Sequence, residues 1–118
     1  MTTTLTDLTR AITTFRDDRD WAQFHGIKHL MISLSLEVAE ILELAQWKSD
    51  AEVERLPENA ETREALADEC ADVLAYLLLL CDRAGIDLAE AFQQKLEKSA
   101  RKYPVEKSFG RREKYMQL

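Results

Sequence analysis

Hydrophobic residues recur three and four positions apart along four stretches of the chain, and charged or turn-forming residues separate these stretches. This spacing matches one face of an α-helix, and it therefore predicts four helices. They cover about residues 5–18, 28–47, 60–83 and 88–102, with a charged connection at 48–60. The fold class expected from four such helices is all-α, most simply a four-helix bundle.

Residues that typically begin and end helices support these boundaries. Thr4, Asn59 and Asp87 are suited to cap the starts of the first, third and fourth helices. Gly85 suits the left-handed position that follows the third helix. Pro104 is expected to end the fourth helix, because proline cannot continue the backbone hydrogen bonds.

The composition fits a single helical domain. With 118 residues, three Gly, two Pro and 46% hydrophobic residues, the chain is long enough for one core. A net charge of −6 argues against a dedicated binder of nucleic-acid polymers, which needs a basic surface. Residues 95–114 nevertheless carry a net charge of +5, so this segment either is a solvated surface or meets an anionic ligand. We predict one domain over residues 1–118, with a basic and less ordered tail at about 104–118.

The sequence indicates neither membrane insertion nor export. The longest apolar run, at residues 73–81, is too short to cross a bilayer, and residues 1–10 hold no apolar signal core. Cys70 and Cys81 fall on one predicted helix, roughly 16 Å apart, which is too far for a disulfide. Reduced cysteines are typical of a cytoplasmic protein, and we expect no membrane partner.

Carboxylates interrupt the most apolar part of the second helix, which reads "SLEVAEILELAQW" at residues 35–47. A helix that is apolar nearly all round is expected to be buried, where an uncompensated carboxylate is costly. Glu37 and Glu40 are three residues apart and share a face, with Trp47 two turns beyond Glu40 on the same stripe. Glu43 is expected to point to solvent.

The third helix repeats this arrangement in "DECADVLAYLLLL". Glu69 and Asp72 are three residues apart, and Tyr76 follows four residues later. Helices joined by a short connection tend to pack antiparallel, which would bring the two acid pairs together. Four converging carboxylates repel one another unless a cation lies between them, and ligation by oxygen alone suits Mg²⁺, with Mn²⁺ as a substitute. The expected chemistry is hydrolysis of a phosphoanhydride, in which the cation activates water and shields phosphoryl charge.

Two different roles for the acids are also compatible with these residues. The ExxE spacing occurs on exposed helix faces too, and a non-catalytic helical interaction module would need only the salt bridges of such a face. A di-iron carboxylate bundle usually contains Glu-x-x-His motifs. Neither acid pair has a histidine in that position, which argues against iron chemistry.

Aromatic residues concentrate at the predicted helix ends and beside the acids. The segment at residues 19–25 contains Trp21, Phe24 and His25, while Trp47 and Tyr76 accompany the two acid pairs. Such side chains stack on a flat base, each contact contributing about 1–3 kcal/mol. Packing in the core is the alternative for each of them.

These stretches resemble those of the all-α nucleoside triphosphate pyrophosphohydrolases, the MazG-like family, whose signature is ExxE followed at a distance by ExxD. Within the family the resemblance is to the dCTP pyrophosphatase branch. It covers roughly residues 5–118 and rests on the segments "RDWAQFH", "EVAEILELAQWK", "DECADVLAYL", "RKYP" and "KY".

The resemblance implies an enzyme that hydrolyses dCTP and modified dCTP to dCMP and pyrophosphate, and so cleans the nucleotide pool. It also implies a homodimer or homotetramer in which a neighbouring chain builds part of each pocket. The Mg²⁺ ligands and catalytic carboxylates that it implies are Glu37, Glu40, Glu69 and Asp72. The substrate-binding residues that it implies are Trp21, Gln23, Phe24, His25, Trp47, Tyr76, Lys95, Lys102 and Tyr103.

Two residues depart from the pattern of the family. Ile12 stands where a close relative of this branch has a substrate-contacting histidine, and Ser99 stands where many members have asparagine. The lost polar contact at residue 12 would loosen or shift base selectivity. A broader hydrolase acting on dUTP or on several dNTPs is therefore the alternative expectation.

Overall fold

The computed structural model describes residues 2–117, and every regular element among them is helical. The α-helices are α1 Leu5–Asp18, α2 Ile27–Glu43, α3 Asp50–Glu54, α4 Ala60–Ala84, α5 Leu88–Lys102 and α6 Val105–Ser108. Short 3-10 turns lie at Ala22–Phe24, Leu56–Glu58 and Tyr115–Gln117. The prediction of an all-α fold is confirmed.

Two compact units make up the chain, one ending at Gly85 and one beginning at Ile86. In the first unit α4 is the central helix, and both α1 and α2 pack against it. The core of this unit includes Leu30 from α2 and Leu78 and Leu79 from α4. Leu30 is the most enclosed of these residues, with 1% of its surface exposed. Burial of such side chains stabilises the pairing of the helices by about 1.5–3 kcal/mol each.

Helices α2 and α4 run antiparallel. Leu30, early in α2, borders the same cavity as Asp82 near the end of α4. Leu44, which follows α2 directly, borders a groove with Leu66 in the first half of α4. The central parts of the two helices, which carry the acid pairs, therefore face each other.

The predicted caps lie at the starts of α1, α4 and α5 and at the end of α4. The Thr4 side chain accepts a hydrogen bond from the Asp7 backbone and completes a capping box at the start of α1. The Asn59 side chain accepts from the Glu61 and Thr62 backbones at the start of α4, and Asp87 accepts from the Glu90 backbone at the start of α5. Gly85 has a φ of 70°, the left-handed conformation that ends a helix at little cost only for glycine.

The second helix ends earlier than its sequence predicts. It stops at Glu43, and turns follow at residues 44–47, where the amides of Leu44, Ala45 and Gln46 each donate to the carbonyl three residues back. Trp47 follows with a φ of 64°, so it does not lie on the helical stripe of Glu40, and that prediction was wrong. The charged connection at 48–60 contains its own helix, α3, whose start Ser49 and Glu52 cap reciprocally.

The expectation that the second helix is buried was also wrong. Leu30 is buried, but Leu36 and Leu42 are 60% and 71% exposed. The physical reason is geometric, because α4 covers only one side of α2. The remaining apolar side of α2 faces outward from the isolated chain.

The second unit holds α5 and the basic C-terminal segment. Pro104 follows α5 as predicted and lies directly before α6. The Tyr103 ring packs edge-on against Tyr115 with ring centroids 6.0 Å apart, and the Lys102 ammonium lies 5.0 Å from the Tyr115 centroid. The single domain and the less ordered tail stay predictions. Within residues 2–117, none of the helices combines the length and the hydrophobicity needed to span a bilayer.

Candidate active site

Four carboxylates converge between α2 and α4. Glu37, Glu40, Glu69 and Asp72 each offer an oxygen, and these oxygens all lie within 4.8 Å of one another. The spacing of three residues within each pair puts both acids of a helix on one face, and the antiparallel packing brings those faces together. The first three are half-buried, and Asp72 is exposed.

The electrostatics of this cluster are unfavourable without a counter-charge. Burial raises the pKa of Glu37, and the neighbouring Glu40 carboxyl raises it further. Contact with Glu40 is the main cause of the raised pKa of Glu69, followed by burial. Glu43 is exposed as expected, yet its charge also contributes to the raised pKa of Glu69, so it borders the cluster.

The donor set fits a hard divalent cation. One oxygen each of Glu37 and Glu69, the Oε2 atoms, is enclosed by protein and has no hydrogen-bond partner among the described residues. A buried carboxylate oxygen normally has a partner, and a metal ion would satisfy both atoms at once. All the available donors are carboxylate oxygens, which are typical ligands of Mg²⁺ and Mn²⁺.

Beside the carboxylates lies a small cavity of about 160 Å³ that is lined mainly by apolar and aromatic side chains. Trp21, His25 and Tyr76 line it together with Ile12 and Asp72. The cavity is smaller than the roughly 300–1,000 Å³ of sites for whole drug-sized ligands. It therefore has room for one ring of a ligand, next to one of the four acids.

The turn between α1 and α2 is attached to α1 by aromatic packing. The Trp21 ring lies edge-on to Phe15 with centroids 5.8 Å apart, and the Arg19 guanidinium sits 3.6 Å from the Phe15 centroid.

His25 stacks on His29 with centroids 6.1 Å apart. Burial lowers the pKa of His25, and the neighbouring His29 and the Arg16 guanidinium lower it further.

Other predicted substrate residues of the first unit are exposed. The Gln23 amide donates to Asp20, and Phe24 is 62% exposed. Trp47 is 94% exposed and is not among the residues that line the 160 Å³ cavity. Lys95, Lys102 and Tyr103 belong to the second unit, and their role stays a prediction.

Sequence reasoning overlooked Arg16 and Asp82. The Arg16 guanidinium donates to Asp82 over 3.2 Å, and both residues line a second, polar cavity of about 220 Å³ with His25 and Arg83. Arg16 also lines the smaller cavity. The one feature of the sequence that points to Arg16 is its position four residues after Ile12, which places both residues on one face of α1.

Comparisons with known proteins bear on this site. A model of the MazG-like family matches residues 32–118, which include all four carboxylates. The dCTP pyrophosphatase 1 of Rattus norvegicus is 42% identical over 115 residues, covering 98% of this chain and 68% of the relative. The dCTP pyrophosphatase 1 of Homo sapiens is 38% identical over the same lengths. A crystal structure of a pyrophosphatase from Archaeoglobus fulgidus superposes with a TM-score of 0.79 at 42% identity, covering 88% of this chain and 95% of that one.

Proposed function

The chain belongs to the MazG-like family, and from this premise we propose that it hydrolyses dCTP to dCMP and pyrophosphate. The observation that carries the proposal is the convergence of four carboxylate oxygens within 4.8 Å, beside a cavity for a single ring. The identity of about 40% to dCTP pyrophosphatases over nearly the whole chain supports dCTP as the substrate.

In this proposal the four acids hold Mg²⁺, for which Mn²⁺ is the substitute. When bound, the cation supplies positive charge for the phosphoryl oxygens and an activated water. Glu37, Glu40 and Glu69 are held by their helices, so their oxygens are oriented before the substrate arrives. Asp72 is the most exposed of the four and also lines the cavity, so it links the metal-holding acids to the nucleotide.

The base and sugar are assigned to the aromatic residues. Trp21, His25 and Tyr76 line the cavity of about 160 Å³, whose apolar walls favour stacking of a pyrimidine over solvent. Gln23, Phe24 and Trp47 are exposed and are assigned to the mouth of the pocket. From the family resemblance, Lys95, Lys102 and Tyr103 are assigned to the phosphates, for which the two ammonium groups have the complementary charge.

We further propose a cytoplasmic homodimer or homotetramer that acts on free nucleotides, including modified dCTP, and binds neither membranes nor nucleic-acid polymers. The exposed apolar side of α2 supports self-association, because a contiguous apolar surface in water favours a partner. The nearly complete exposure of Trp47 agrees with a pocket that a second chain completes.

A substrate panel tests the proposed function. The purified protein is incubated with Mg²⁺ and each of dCTP, dUTP, dTTP, dATP and dGTP, and the products are separated by chromatography. We expect the highest kcat/KM for dCTP, dCMP and pyrophosphate as products, and no turnover when EDTA is present. Comparable rates on several nucleotides would assign the broader hydrolase instead. The release of dCDP and phosphate, or no hydrolysis of any nucleotide, would overturn the proposal.

A further inference from the structure

Arg16 is a charged residue enclosed where α1, the following turn and α4 meet. Its side chain is only 15% exposed. Nε donates to Asp17 over 2.8 Å, and Nη1 donates to Asp82 over 3.2 Å. Asp17 is adjacent in sequence, but Asp82 lies 66 positions away near the end of α4. The second ion pair therefore connects two helices, through an Arg16 side chain that is 15% exposed and an Asp82 side chain that is 40% exposed.

The backbone of the same residue holds the turn that carries the aromatic side chains. The Arg16 carbonyl accepts hydrogen bonds from the amides of Arg19 and Trp21, over 3.2 and 3.1 Å. Asp20, between these two donors, has a φ of 53°, a left-handed conformation that costs a non-glycine residue about 1–2 kcal/mol. The turn keeps this conformation because the bonds at Arg16 hold both of its ends.

Arg16 also borders two cavities that adjoin His25. The polar cavity of about 220 Å³ includes Asp82, and the apolar cavity of about 160 Å³ includes Trp21 and Tyr76. Arg16 thus pairs with Asp82 of α4 and also forms part of the wall of the proposed base cavity. A change in its position alters the wall of that cavity directly.

We propose that Arg16, held by Asp82, is a positioning residue that fixes the turn at residues 21–25 against α4 and so sets the width of the base cavity. The inference rests on the proposed function and adds to it, because it assigns the selection of the base to an ion pair that does not belong to the metal cluster. With the pair intact, Trp21 and Tyr76 line a cavity for a single ring. Without it, the turn keeps its backbone bonds to Arg16 and its aromatic contacts with α1, but this pair no longer ties α1 to α4, and the cavity loses its defined width.

The test compares Arg16→Met with Arg10→Met, which removes the same charge from the same helix. Arg10 is exposed, and within residues 2–117 its one ion pair is a 3.6 Å contact with Asp7. For Arg16→Met we expect KM for dCTP to rise about five- to tenfold with kcat within about twofold, because ground-state positioning is lost and the metal site is kept. The preference for dCTP over dATP should fall by a similar factor. Arg10→Met should leave all three quantities unchanged.

Two further single variants keep the inference falsifiable if Arg16→Met does not fold. Asp82→Asn preserves the shape of the side chain and removes the charge, and it should change KM and base preference in the same direction. Arg16→Lys retains one donor for Asp82 and should recover part of the wild-type KM. The double variant Arg16→Met with Asp82→Asn should be no worse than Arg16→Met alone, because both changes remove one interaction.

The outcomes separate this inference from the proposed function. If the wild type hydrolyses dCTP but Arg16→Met or Asp82→Asn only lowers the Tm, with KM and base preference unchanged, the pair is merely structural and the inference is overturned. If the wild type does not hydrolyse dCTP, the proposed function fails, and the inference fails with it.

Discussion

Glu37 and Glu69 differ from the other acids of the chain in that each has an enclosed carboxyl oxygen without a hydrogen-bond partner among the described residues. The pKa of each is raised, with burial as the main cause for Glu37 and the contact with Glu40 as the main cause for Glu69. A carboxyl whose pKa in the folded state exceeds its usual value of 4.5 favours the folded state only at low pH. That contribution is lost as the pH rises through the raised pKa.

Replacement of Glu37 by Gln tests this electrostatic argument. In EDTA, the wild type should lose stability as the pH rises from about 4.5 through the raised pKa, and Glu37→Gln should lose less because one repelling charge is gone. With Mg²⁺ and nucleotide, the wild type should be more stable than Glu37→Gln, since ligand binding stabilises only the protein that binds it. Turnover should fall by about 100-fold or more, because a cation contributes several kcal/mol of charge stabilisation. Thermal melts across pH and initial rates measure these effects.

The matched control is Glu64→Gln, which removes the same charge from an exposed position of α4. Its melting curves and rates should follow those of the wild type under both conditions. A Glu37→Gln variant with normal pyrophosphate release would contradict the assignment of Glu37 to the metal site.

At the residue scale, the sequence predicted the members of the acid cluster well. A spacing of three residues fixes a shared face within one helix, so Glu37 with Glu40 and Glu69 with Asp72 could be paired before their convergence was known. The pair of Arg16 with Asp82 could not be predicted in this way. The two residues are 66 positions apart in the sequence, and their contact depends on the rotation of α1 about its own axis relative to α4.

At the scale of the elements, the end of α2 is the main difference between expectation and structure. Leu44, Ala45 and Gln46 are good helix formers, so local propensity gives no reason for the helix to stop at Glu43. Where capping residues were present, as at Thr4 and Gly85, the boundaries were predicted closely. The early end of α2 and the left-handed Trp47 are therefore effects of tertiary structure.

The left-handed backbone of Trp47 gives a prediction for this turn. Its φ of 64° costs about 1–2 kcal/mol in a residue with a Cβ atom. Because the ring is 94% exposed, its contacts within the chain offset little of that cost. In the metal-free and nucleotide-free protein, Trp47→Gly should therefore be more stable than Trp47→Ala by about 1 kcal/mol. Chemical denaturation of the two variants measures the difference.

The glycine and alanine variants serve as controls for each other, since both lack the indole ring. If Trp47 contacts the nucleotide, both variants should raise KM for dCTP to the same extent, whatever their stability. Equal stability of the two variants would show that the turn relaxes without strain. A wild-type KM in both would remove Trp47 from the substrate site.

At the scale of the whole molecule, α2 has two apolar sides and the isolated chain covers only one. The side that includes Leu30 packs against α4, whereas Met31, Val38 and Leu42 lie seven and four residues apart on an exposed stripe. Periodicity predicted this helix as buried all round, because a sequence does not distinguish a core from an interface between copies. The excess of apolar surface is the physical reason to expect self-association.

Substitution of Leu42 by Glu tests that expectation. Leu42 is 71% exposed, so a charge there should change the stability of the isolated fold by no more than about 0.5 kcal/mol. In an interface between copies the same charge would lose its hydration without a partner, and association should weaken strongly. We expect the wild type to have the mass of a dimer or tetramer of the 13.6 kDa chain by light scattering. Leu42→Glu should shift it to the monomer.

Ala51→Glu is the control for this change, because it adds one negative charge at an exposed position of α3 that is outside the apolar stripe. It should keep the oligomer and the activity. If a second chain completes each pocket, Leu42→Glu should lose activity at protein concentrations where it is monomeric, although the residue lies outside the carboxylate cluster. An active wild-type monomer would show that one chain holds the complete site, and the apolar side of α2 would then have no part in catalysis.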